Sequence, residues 1–113
     1  MNTEHEIMTF EVNGLIYKIV IVEAFQGDNL LGLAEYPQKK ITLKLEDIDV
    51  MIKTLKHELT HVWLEEFGHN QHETKSYNNE DICEIVACSN NFINENVAKF
   101  KKNFTEQENN YRG

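Results

Sequence analysis

The sequence predicts an α+β fold in which a small, mostly antiparallel sheet is followed by two helices. Three observations carry that prediction. Apolar residues alternate or cluster as β-branched runs up to Leu45, an Asn-Gly pair interrupts them, and from Ile48 onward the apolar spacing changes to three and four residues. With 113 residues, 41% apolar and 27% charged, the chain suits one domain, 1–113, with one modest core. It is too short for two.

The strands come first, over about 7–45. Phe10 and Val12 alternate before Asn13-Gly14, and Leu15, Ile16, Tyr17, Ile19, Val20, Ile21 and Val22 follow. Asn-Gly between two such runs is a strong hairpin signal because both residues tolerate positive φ, so strands are expected near 7–12 and 15–22. Residues 26–29 read as a turn, and 32–36 as a short strand stopped by Pro37, the single proline. Ile41, Leu43 and Leu45 alternate with Thr42 and Lys44, which makes a further strand with one solvated face.

The helices follow. Asp47 or Asp49 can cap a helix over about 48–67, whose Ile48, Met51, Ile52, Leu55, Leu59 and Val62 share one side and which Gly68 ends. At about 100° per residue, Val50, His57, His61 and Leu64 fall on the opposite side. A helix with something to bury or bind on both sides is expected between the sheet and another helix. Residues 69–78 read as a loop. A C-terminal helix over about 79–108, interrupted near 94–96, carries Ile82, Val86, Ile93, Val97, Phe100 and Phe104 as a stripe for the core or for a second copy.

Charge narrows the partners. Eleven Lys+Arg against 19 Asp+Glu leave −8, which repels phosphate backbones and anionic lipid headgroups. The basic clusters, Lys39-Lys40 and Lys99-Lys101-Lys102, lack interleaved aromatics, so no nucleic acid is expected. No secretory signal and no run of 18 apolar residues is present, so no membrane partner is expected either. Cys83 and Cys88, five apart on one helix, cannot bridge and read as small buried hydrophobes in a reducing cytoplasm.

The chemistry lies in His57-Glu58-Leu59-Thr60-His61, an H-E-x-x-H sequence inside the first helix. Residues at i and i+4 stack one above the other, so two imidazoles can grip one Zn2+ at about 2.0–2.1 Å per bond. Glu58 then stands beside the ion without ligating it, placed to act as general base on a metal-activated water. A catalytic zinc needs a third protein ligand, for which His69, His72, Glu80, Asp81 and Glu84 are the candidates. The longer motif with a third histidine is excluded, because Leu64 and Phe67 stand where its glycine and histidine belong.

The motif at 57–61, followed by Asn79-Glu80-Asp81-Ile82-Cys83-Glu84, resembles the gluzincin metallopeptidases, and Ala87 and the chain's size resemble the small ImmA/IrrE-like bacterial and phage peptidases. The resemblance implies a minimal zincin-like fold, with Glu80 as third zinc ligand and Cys83 at a small-residue position. It implies that Glu84 is the acid that orients a ligand histidine, although Glu84, longer than the family's Asp or Asn, is itself an alternative ligand.

Each of these residues also has an ordinary reading. His57 and His61 can be helix-surface histidines, Glu58 a solvated residue, and Glu80 a carboxylate favoured by a helix N-terminus. His69, His72 and Tyr77 can be solvated loop residues or donors to the oxyanion of a tetrahedral intermediate. Trp63 reads as core.

The sequence thus points to a zinc-dependent metallopeptidase. Zinc is held by His57, His61 and Glu80, Glu58 is the base, and a peptide or protein is the substrate, aligned by a strand such as 41–45. The alternative is a non-catalytic, metal-stabilised protein-interaction module.

Overall fold

The computed structural model describes residues 3–27, 29–68 and 79–108. Strands β1 (His5–Val12) and β2 (Leu15–Val22) form the expected hairpin, with Val12 opposite Leu15. Asn13 (φ 49°) and Gly14 (φ 79°) both take left-handed conformations, as a two-residue turn matched to strand twist requires. A register shift between Glu6 and Met8 breaks the alternation of β1, so that neighbours Ile7 and Met8 are both buried.

β3 (Gly32–Glu35) and β4 (Lys40–Lys44) form a second antiparallel pair, and β4 lies parallel to β2, with Lys18 opposite Lys40. The strand order is β1-β2-β4-β3. Two of the three pairings are antiparallel, and β4 is an interior strand. This corrects the expectation that 41–45 borders a cleft, and the edge strand beside the helix is β3. Burial explains the placement. Ile41 and Leu43 face the core and are fully buried, and on the other face Thr42 is only 4% exposed between the partly buried Lys40 and Lys44, so that face meets solvent mainly at its two ends.

α1 (Ile48–Glu66) packs on β3, β4 and α2 (Asn79–Gln107), whereas α2 packs on β1 and α1. Both helices therefore reach the sheet, and α1 is not a middle layer. Asp47 is the N-cap by position, but its side chain makes no cap hydrogen bond, and Gly68 (φ 78°) follows the helix end. Met51, Leu55, Leu59 and Val62 meet Tyr17, Ile19, Ile21, Ile41 and Leu43 in one core, which Phe100 and Phe104 complete. Two polar links close the frame. The buried Tyr17 hydroxyl donates to the Glu66 carboxylate at the end of α1, and Gln107 donates to the Ile7 carbonyl at 3.2 Å.

α2 runs without the expected interruption at 94–96. Asn96 is buried, and its side-chain amide donates to the Phe92 carbonyl one turn earlier at 2.9 Å, which satisfies the group inside its own helix. At about 1.5 Å per residue a helix of this length spans about 43 Å, against about 27 Å for β1 or β2. Only its later turns find a sheet to cover. Ile82 and Val86 are consequently 50% and 59% exposed, and Cys83 and Cys88 are exposed rather than buried. The expected loop 69–78 lies outside the described residues. No helix among those described is long and apolar enough to cross a membrane.

Candidate metal centre

His57 and His61 project from the face of α1 that the core stripe leaves free, and both are exposed. Their rings meet at 76° with centroids 4.6 Å apart, which turns the two Nε2 atoms towards each other at 3.1 Å. Two ligands on a tetrahedral zinc, each about 2.0–2.1 Å from the ion, lie about 3.3 Å apart, so the pair needs only a slight opening to hold one. Without an ion, the same separation suits an N–H···N hydrogen bond between the two imidazoles.

Glu58 lies about 100° round the helix from His57, at the border between the histidine-bearing side and the core. It is only 9% exposed, and among the described residues nothing hydrogen-bonds its carboxylate. Burial raises its pKa above the ordinary carboxylate value, and the nearby His57 and His61 partly offset that rise. A carboxylate held in this way is a stronger base than a solvated one.

Gly32, the first residue of β3, brings the sheet edge onto this helix. A Cβ at that position would stand 2.5 Å from Thr54 Cγ2 and 3.4 Å from Glu58 Cγ. The sequence reading did not single out Gly32, although a lone glycine opening a strand is a recognised sign of close backbone approach. Leu30, Leu31, Val50, Lys53 and Thr54 join Gly32, His57 and Glu58 around a cleft of about 530 Å³. β3 is paired only with β4 among the described residues, so its outer backbone edge adjoins that cleft.

The third donor is not brought to the pair. Glu80, Asp81 and Glu84 are exposed on the first turns of α2, and no group of three His, Cys, Asp or Glu side chains converges among the described residues. These turns belong to the part of α2 that overruns the sheet. His69, His72 and Tyr77 lie outside the described residues. Trp63 is buried, as a core residue should be.

Comparison with protein-family models finds no match, and neither curated proteins nor solved structures match the chain significantly.

Proposed function

We propose that this chain is a zinc-dependent metallopeptidase. The observation that carries the reading is the pairing of His57 and His61, with Nε2 atoms 3.1 Å apart, beside a buried Glu58 on a cleft bordered by an open strand edge. His57 and His61 supply two zinc ligands. The third is assigned to Glu80, with Glu84 as the alternative, since both are carboxylates on the helix that packs against α1. A zinc ion held there would supply a Lewis acid for the scissile carbonyl and would lower the pKa of water towards about 7.

The chain's own residues supply the rest. An extended peptide can pair with the outer edge of β3 through backbone hydrogen bonds, which fixes its direction across α1. Glu58 accepts the proton of the attacking water and returns it to the leaving amine. Its burial limits competition from bulk water for that proton. A reducing cytoplasm suits the two free cysteines, Cys83 and Cys88, and the acidic surface.

The test compares wild type with Glu58→Gln on a broad peptide library. Hydrolysis by the first that disappears in the second, with zinc retained in both, supports the enzyme. Zinc binding without hydrolysis by either supports the metal-stabilised interaction module.

A further inference from the structure

We propose that Lys53 selects a substrate carboxylate, so that the cleft takes peptides carrying an aliphatic residue followed or preceded by an acidic group close to the scissile bond. This rests on the peptidase reading. Val50, Lys53, Thr54 and His57 occupy successive turns of α1 on the cleft side, and Leu30 and Leu31 stand across from them. The three aliphatic side chains are left partly open, with Leu30 39%, Leu31 44% and Val50 36% exposed, so together they offer an apolar seat for one side chain.

Among the described residues, Lys53 is the one lysine or arginine lining this seat. It is exposed and makes no ion pair among the described residues, not even with Asp49 one turn earlier. On a chain with a net charge of −8, the general field favours basic peptides. Lys53 opposes that field at the cleft itself, which makes it the local determinant of charge preference. It lies about 6 Å along the helix axis from His57, and an extended peptide advances about 3.3 Å per residue. With the reach of a lysine side chain added, the carboxylate falls within about three residues of the cleaved bond.

The experiment uses N-acetylated, C-amidated peptides with a leucine at the cleaved bond and Asp, Asn or Lys scanned through three positions on each side. A free C-terminal acid on an otherwise uncharged peptide is the second source of a carboxylate. Wild type, Lys53→Glu and Lys53→Met are compared by kcat/KM. Binding of fluorescent versions of the same peptides to Glu58→Gln, with and without Lys53→Glu, is measured in parallel.

The expected result is about a tenfold preference for Asp over Lys at one position, abolished in Lys53→Met and inverted in Lys53→Glu. If only the free terminal acid shows this dependence on Lys53, the selected carboxylate is the chain end. Should nothing be hydrolysed, a Lys53-dependent charge preference in binding sustains the inference while the catalytic reading fails. Cleavage or binding indifferent to Lys53, or the absence of both, overturns it.

Discussion

Glu58 and Gly32 show how single residues set this site. Burial makes the ionised form of Glu58 costly, so its folded-state pKa exceeds its unfolded value. Such a group favours the fold while protonated, at pH below its unfolded value, and that contribution is lost as pH rises through the folded value. Metal-free Glu58→Gln should therefore melt above metal-free wild type at pH 7, with the gap closing below about pH 4.5. Equal melting temperatures across that range would show the carboxylate to be solvated. Gly32→Ala puts a Cβ into Thr54 Cγ2, which costs about 1–3 kcal/mol or displaces β3. Adding Thr54→Ser removes the obstructing methyl, so the double variant should recover much of the stability lost, as read by urea denaturation.

The elements were legible in the sequence where a local signal fixes them. Asn13-Gly14 marked the hairpin, the three- and four-residue apolar spacing marked α1, and Gly68 marked its end. What the sequence did not reveal is set by long-range packing. The parallel pairing of β2 with β4 depends on where the chain between them crosses, and no residue pattern in either strand specifies it. The edge position of β3 follows from that pairing, so the strand bordering the cleft was assigned to the wrong segment. The exposed start of α2 has the same origin, since Ile82 and Val86 continue the stripe of Phe100 and Phe104 beyond the sheet that buries it. The pairing of His57 with His61 was readable because it is local to one helix. The distance of Glu80 and Glu84 from that pair was not, because it depends on how two helices are placed. At this scale Leu55→Ala, a fully buried contact of α1 with the sheet, should cost about 2–5 kcal/mol. Tyr17→Phe, which removes the hydroxyl bonded to Glu66, should cost about 1–2 kcal/mol. Denaturant midpoints that place Tyr17→Phe above Leu55→Ala in cost would contradict a fold held chiefly by its apolar core.

For the whole molecule, the decisive quantities are charge and linkage. A net charge of −8 on 113 residues gives self-repulsion that salt screens, so stability should rise with sodium chloride towards about 0.15 M. Zinc at about 100 times its dissociation constant adds about 2.7 kcal/mol, which for a domain of this size raises the melting temperature by about 10 °C or more. The gain should shrink in Glu80→Gln if Glu80 is the third ligand, and in Glu84→Gln if Glu84 is.

The most direct measurement is calorimetric titration of zinc into wild type, His57→Ala and His61→Ala, each first stripped with chelator. One ion per wild-type chain is expected, with affinity reduced at least a hundredfold in either variant. Zinc affinity that is unchanged by both substitutions, or no binding to wild type, would contradict a metal centre on α1.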